Sequence, residues 1–376
     1  MVSDAEQGRE TIMTESRTPT QDAAGSSAQE ARYVIYGLDA SYFTRKVLGF
    51  FHYKQIPYEY RHKTITVRPV VEKKAGTHLI PVVVTPEGEW LWDSTPIAFE
   101  MDRRFPDTAL LPPLETHPVL HLTGRILEDF LDEWPTRQAL HFRWMMDSGI
   151  HVGGDDLARD SLGVPKGGRL DAEGAQMVFK MREMIRQWGT EACRKVGADR
   201  RASAEMEGEF VRLIQLLAQH FDWSPYLLGE RPSLADFALY GGLEAHFLLD
   251  PIPAGLIERH APALAGWTER LRELVADDGV PDWPAEDRVP ETLAPLLQYV
   301  GLTFHEFLKA NRAALEGKEE WLTLDLGYGP TRIHSRGYAE KTRRATAAVL
   351  TDLPEEAAEA VKRGLDPLGV LEAYRL

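Results

Sequence analysis

The sequence predicts an α/β domain followed by an all-α domain and a mainly helical C-terminal extension. Three observations carry that prediction. Between Tyr33 and Pro106, short β-type runs alternate with helix-compatible stretches. From His117 onward the strand signals fade, and apolar residues recur at helical spacing instead. Far downstream, Ser233-Leu234-Ala235-Asp236 reads as an S-x-x-D capping box opening an apolar helix.

The elements follow in order. Tyr33-Val34-Ile35-Tyr36-Gly37 is a short β-type run closed by glycine. Thr44 to Tyr53 places Val47, Leu48, Phe50 and Phe51 in a helical pattern that Pro57 stops, and Tyr58 to Arg61 reads as a second strand. Pro69 to Lys74 suggests a short helix. Leu79 to Val84 is a strand entered through Pro81, Pro86 to Glu89 a turn, and Trp90-Leu91-Trp92 the returning strand of a hairpin. Asp93 or Ser94 then caps a helix running from Thr95 to Phe105. This order, β-α-β, a short α, then β-β-α, is the thioredoxin-like layout.

Beyond it, helices are expected over Leu120 to Trp134, Gln176 to Lys195, Ser203 to Phe221, Leu234 to about Leu249, and Pro262 to Ala276. The Gly- and Asp-rich stretch from Asp147 to Gly174 reads as a long loop or flexible excursion. A Pro-rich acidic stretch near 280–295 marks a change of module. Past it, amphipathic helices (Leu296 to Leu315, Tyr338 to Leu350) flank a β-like patch, Trp321 to Leu326. The expected organisation is therefore a disordered tail over 1–31, an α/β domain over 32–108, a helical domain over 117–290 and the extension over 291–376.

Composition narrows the function classes. The chain has 376 residues, nine Trp, and 43 basic against 58 acidic residues, for a net charge of -15. That balance argues against general affinity for nucleic-acid phosphates. No apolar run is long enough to span a bilayer, and residues 1–31 lack a signal-peptide apolar stretch, so a cytoplasmic protein is expected. Cys193 is the only cysteine, which excludes an internal disulfide, a CxxC redox pair and a Cys-based zinc site. It reads as a packed thiol rather than a nucleophile. His151 with Asp155 and Asp156 is a weak metal candidate, better read as a turn, so no metal is expected. The basic run Arg336 to Arg344 reads as a solvated helix face, and His141 to Trp144 as a buried aromatic cluster that could instead line a pocket.

Three features carry chemistry. Ser41, in Ser41-Tyr42-Phe43-Thr44-Arg45-Lys46-Val47, places a hydroxyl at a strand-to-helix turn, where helix N-H groups favour an anion. Ile80-Pro81 is an X-Pro step that, if cis, exposes backbone N-H and C=O groups at the head of a strand. Asp93-Ser94 joins a carboxylate to a hydroxyl at the start of a helix. Together they have the parts of a binding site for a thiol peptide. The structural alternatives are a plain cap at Ser41, a trans strand-entry proline, and a plain cap at Asp93-Ser94.

In these motifs the chain resembles the glutathione S-transferases. Residues 33–108 resemble their thioredoxin-like N-terminal domain and 117–276 their all-helical C-terminal domain, with the Ser233–Asp236 box diagnostic of the latter. The resemblance implies the glutathione transferase architecture, glutathione as co-substrate, a hydrophobic electrophilic second substrate and a homodimer. Ser41-x-x-Thr44-Arg45 is similar to the serine-type members, which implies that Ser41 donates a hydrogen bond to the glutathione thiolate and lowers its pKa. Tyr36 or Tyr42 is the alternative donor. Cysteine-type members carry Cys-Pro where this chain has Ser41-Tyr42, so a mixed-disulfide mechanism is not expected. The resemblance further implies that Ile80 and Pro81 present backbone to the peptide's cysteine. Asp93 would pair with the γ-glutamyl ammonium, and Ser94 would hold its carboxylate. Where the family often carries Lys before the X-Pro step, Leu79 stands here, and His78 is the candidate substitute. Leu79, the bulky Tyr42 and the extension also motivate a second reading, a non-catalytic binding or assembly protein on the same scaffold.

Overall fold

The computed structural model describes residues 32–277 and 280–375. The tail expected over 1–31 lies outside the described residues. Strands β1 (Tyr33–Gly37), β2 (Tyr58–His62), β3 (Val82–Val84) and β4 (Trp90–Trp92) form one mixed sheet in the order β2-β1-β3-β4. β1 runs parallel to β2 and antiparallel to β3, and β3 is antiparallel to β4. Helices α1 (Tyr42–Tyr53), α2 (Arg68–Ala75) and α3 (Ser94–Arg104) complete this N-terminal domain. Its element order is the one expected. α1 forms where apolar residues recur at helical spacing, and it buries Val47, Phe50 and Phe51 fully.

The register aligns the three strands that carry the candidate residues. Tyr36 pairs with Val82, and Val82 with Trp92, so these residues share a rung across three strands. β1 leaves the sheet just past that rung toward Ser41, β3 enters it just after Pro81, and β4 leaves it toward Asp93. Three segments far apart in sequence therefore meet at one end of the sheet.

A helical domain follows: α4 (Pro118–Glu133), α5 (Thr136–Trp144), α6 (Asp147–Gly149), α7 (Asp155–Leu162), α8 (Ala172–Lys195), α9 (Ser203–Phe221), α10 (Leu234–Gly242), α11 (Pro251–His260) and α12 (Ala263–Glu273). After the Pro-rich stretch come α13 (Ala294–Leu302), α14 (Phe304–Glu316), the hairpin β5 (Trp321–Asp325) and β6 (Pro330–His334), α15 (Gly337–Thr351) and α16 (Glu355–Leu365). One contiguous apolar core runs from Tyr33 through α1, α4, α9 and α10 to Tyr374. α10 packs on α1 through Phe237, which meets the Phe50 ring edge-on at 6.3 Å. The expected capping box is present: the Asp236 carboxylate accepts from the Ser233 N-H at 2.8 Å and from its hydroxyl at 2.6 Å. Among the described residues, no helix is long and apolar enough to cross a membrane.

Three expectations need correction. Residues 147–162 are not a loop. α6 and α7 are joined by a π-helical segment, Ile150–Gly154, and only 163–171 is irregular. The glycines that suggested a loop are packing glycines. A Cβ on Gly153 would stand 2.3 Å from Asp250 Oδ1 and 2.4 Å from Arg143 Nε, and one on Gly149 would stand 2.1 Å from the Phe142 carbonyl. The stretch from Leu296 to Leu315 is two helices, because the chain bends at Thr303, whose hydroxyl donates back to the Tyr299 carbonyl at 2.7 Å. The bend buries Val300 and Phe304 on either side of it. The run Arg336 to Arg344 is not a solvated face. Arg336 pairs with Glu133 at 2.7 Å, and Arg343 is buried against Glu340 at 2.7 Å.

Candidate functional site at one end of the sheet

The turn between β1 and α1 is fixed from the helical domain. The Asp160 carboxylate on α7 accepts from the backbone N-H of Asp39 at 2.7 Å and of Ala40 at 3.2 Å. On the other side, Arg143 donates to the Ala40 carbonyl at 2.7 Å while pairing with Asp250 at 3.0 Å. Both members of that ion pair are 1% exposed. Burial draws the Asp250 carboxyl up to about 6, with Arg143 opposing the rise. Breaking such a pair on one side typically costs about 3–5 kcal/mol, because it leaves a buried charge uncompensated.

Ser41 follows as the N-cap of α1. Its backbone is extended, and its Oγ accepts from the Thr44 N-H at 3.4 Å, a long bond. Capping uses a lone pair and leaves the hydroxyl proton free to donate. The cap and a thiolate-directed hydrogen bond are thus compatible. Of the two tyrosines considered beside Ser41, Tyr42 spends its hydroxyl proton elsewhere. Tyr42 is buried and donates to the Leu131 carbonyl at 2.7 Å, and burial, reinforced by Asp132, raises its hydroxyl pKa well above the usual value. Tyr36 stacks on Trp90 at 6.0 Å and accepts from Arg61 at 3.3 Å.

Ile80-Pro81 is a cis peptide bond. The loop ahead of it is held by Lys63, whose ammonium donates to the carbonyls of His78 at 2.9 Å and Leu79 at 3.2 Å. Lys63 was not legible as a site-building residue, since it lies 15 and 16 positions away from the carbonyls it binds. His78 and Leu79 are both exposed at this edge.

Asp93 stands at the N-cap position of α3 yet makes no capping bond with its side chain. Its φ of 76° lies in the region that favours glycine, a conformation that typically costs a non-glycine residue about 1–3 kcal/mol. Its carboxylate turns to the extension: Tyr338 Oη lies 2.8 Å from both oxygens, and Lys341 Nζ lies 3.8 Å from Oδ2. Ser94, the first residue of α3, is buried. Beneath it, Thr95 bonds Glu128, and the buried Lys46 of α1 pairs with Glu128 at 2.6 Å and Asp132 at 2.5 Å. Burial raises the Asp132 carboxyl, with the Lys46 ammonium opposing the rise. This network ties the starts of α1 and α3 to α4.

The weak metal candidate has a guanidinium beside it. Arg182 binds both His151 and Asp155, at 3.1 Å each. Another trio, Asp39, His62 and Asp160, brings one ligand atom each within 4.8 Å of the others. There, however, Asp39 Oδ1 already has the Arg45 guanidinium at 3.4 Å and the Tyr60 hydroxyl at 3.0 Å. A cation is therefore already supplied. Cys193 is fully buried, and burial pushes its thiol up to about 12, which makes it inert at neutral pH.

Comparison with known proteins recognises two domains in the chain. The glutathione S-transferase N-terminal domain family matches residues 40–104, and the glutathione S-transferase C-terminal domain family matches residues 190–274. The chain carries the N- and C-terminal domains of the glutathione S-transferases. The first match contains Ser41, Ile80-Pro81 and Asp93-Ser94, and the second contains the Ser233–Asp236 box. No curated protein matches the chain. Among solved structures, it is similar to a glutathione S-transferase from Rhodospirillum rubrum F11 at 16% identity, with 70% of this chain and 91% of that one covered and a TM-score of 0.40. A rice glutathione transferase in complex with glutathione is likewise 16% identical, with coverage of 64% and 85% and a TM-score of 0.40. The beta-etherase LigF from Sphingobium sp. strain SYK-6 is 14% identical, with coverage of 64% and 94% and a TM-score of 0.42.

Proposed function

We propose that the protein is a glutathione-dependent transferase of the serine type, activating the glutathione thiolate for attack on an electrophilic small molecule. The observation that carries this reading is the meeting of Ser41, cis Ile80-Pro81 and Asp93-Ser94 at one end of the sheet. Glutathione lies along Ile80 and Pro81 with its sulfur at Ser41. The Ser41 hydroxyl donates to the thiolate, and the first-turn N-H groups of α1 add positive potential. The γ-glutamyl ammonium pairs with Asp93, and its carboxylate sits at Ser94 and the start of α3. His78 faces the glycyl end. The second substrate is apolar and enters from the helical domain, and no nucleic acid or membrane is involved. The domain limits at 108, 117 and 290 accord with the same reading, as does a cytoplasmic location.

A homodimer is also proposed. Its support is an exposed stripe on the 24-residue α8, where Met177 and Met184 are 51% and 55% exposed and Trp188 is 62% exposed. These three residues lie on one helical face, as an interface between two copies requires.

One observation favours the second reading, a non-catalytic binding or assembly protein: in this chain the Asp93 carboxylate is engaged by Tyr338. Retention on immobilised glutathione, together with a thermal shift in millimolar glutathione, separates the two. The transferase is retained and stabilised; a protein showing neither effect is not a glutathione enzyme.

A further inference from the structure

We infer that α15 of the C-terminal extension is a built-in competitor for the ligand at Asp93, so that glutathione binding and the Tyr338–Asp93 contact exclude one another. The inference rests on the reading of Asp93 as the partner of the γ-glutamyl ammonium.

The geometry is specific. A carboxylate that receives an ammonium group must give up the donors it already faces when the ligand binds. Here it faces two already. The Tyr338 hydroxyl lies 2.8 Å from each Asp93 oxygen, and the Lys341 ammonium stands 3.8 Å from Oδ2. Lys341 is held over the rings of Tyr338 at 5.4 Å and Trp92 at 5.9 Å, and Trp92 is the residue just before Asp93. A hydroxyl donor and a primary ammonium are the kinds of group that a bound γ-glutamyl end and its surroundings would offer. The extension thus fills the ligand's place in kind as well as in position.

The helix is aimed there by its own anchors. The Arg336 side chain pairs with Glu133 on α4 at 2.7 Å, and its backbone is gripped by Asn311, which accepts from the Arg336 N-H at 2.7 Å and donates to the Arg336 carbonyl at 3.0 Å. Arg343, five residues past Tyr338, is buried and donates to the Ala373 carbonyl at 3.0 Å. Between these anchors, Tyr338 is 38% exposed and Lys341 lies at the surface. Tyr338 and Lys341 border solvent while the Asp93 side chain is 8% exposed, so the contact can break from its outer side without unpacking the core.

Because ligand and helix compete for one carboxylate, weakening the helix contact must tighten the ligand by linkage. The experiment is calorimetric titration of glutathione into the full chain, into Tyr338→Phe and into Lys341→Ala. Each variant is first checked for a melting temperature near that of the parent. Loss of a hydrogen bond to a charged group corresponds to about a tenfold change, so Tyr338→Phe is expected to bind glutathione roughly tenfold more tightly. Lys341→Ala, which removes the more distant donor, gives a smaller gain. A parent chain that binds nothing detectable while Tyr338→Phe binds supports the same inference in stronger form. If parent and both variants bind equally, or Tyr338→Phe binds more weakly, competition is overturned while the glutathione reading stands. If none of the three binds at millimolar glutathione, the glutathione reading itself fails, and the competition falls with it.

Discussion

At the scale of a single residue, the proposed chemistry rests on Ser41. Its Oγ accepts a 3.4 Å bond from Thr44 and retains a proton to donate. Removing the hydroxyl should therefore act on the thiolate more than on the fold. Each unit by which the hydroxyl lowers the glutathione thiol pKa is worth about tenfold in thiolate at neutral pH. Ser41→Ala is expected to lower turnover with an aryl halide by at least about tenfold while leaving glutathione affinity within about twofold. Equal losses in both, measured by steady-state kinetics and direct titration, would assign Ser41 to capping alone. Ser41, Pro81 and Asp93 were legible in the sequence because each is marked by its immediate neighbours: a turn, an X-Pro step and a helix start. Tyr338 was not, because it meets Asp93 from 245 positions away. Nothing local to Tyr338 distinguishes it from a surface tyrosine. The same holds for Asp160 and Arg143, which hold the Asp39-Ala40 turn from more than 100 positions away.

At the scale of elements, α6 and α7 convert what reads as a loop into the clamp that sets Ser41. The misreading has a plain cause. Glycine in sequence signals conformational freedom, but Gly149 and Gly153 are there because any side chain would strike Phe142, Arg143 or Asp250. Gly153→Ala should consequently be costly although it raises helix propensity: a loss of roughly 1–3 kcal/mol, as for overpacking, measured by chemical denaturation. An unchanged midpoint would mean that the Arg143–Asp250 pair yields easily. The capping box makes a pH prediction. Burial lifts the Asp236 carboxyl to about 6, against about 3.9 in an unfolded chain. The folded chain thus binds this proton more tightly, so the group adds stability as pH falls toward 4 and withdraws it as pH rises through 6. Between pH 5 and pH 7, the parent should lose more denaturation free energy than Asp236→Asn does. Equal slopes would refute the assignment.

For the whole molecule, the N-terminal domain and the succession of helices were readable because their periodicity is strong, and two domain families bear that order out. The extension was readable only as helices flanking a β-like patch, where the structure has the strand Trp321–Asp325. Its role depends on packing against α4 and on where α15 ends up, and periodicity carries neither. The exposed α8 face belongs to this scale too. If it joins two copies, Trp188→Glu should shift the sedimenting species from dimer to monomer without lowering the melting temperature by more than a few degrees; a parent that sediments as a monomer removes the proposal. The central claim is that glutathione lies across the end of the sheet where Ser41, Pro81 and Asp93 meet. Hydrogen exchange followed by mass spectrometry, with and without millimolar glutathione, tests it most directly. Slowed exchange is predicted in peptides covering 39–45, 78–84 and 93–98, with faster exchange confined to the first turn of α15 as Tyr338 releases Asp93. Unchanged exchange at the first three segments, or protection confined to another surface, would contradict it.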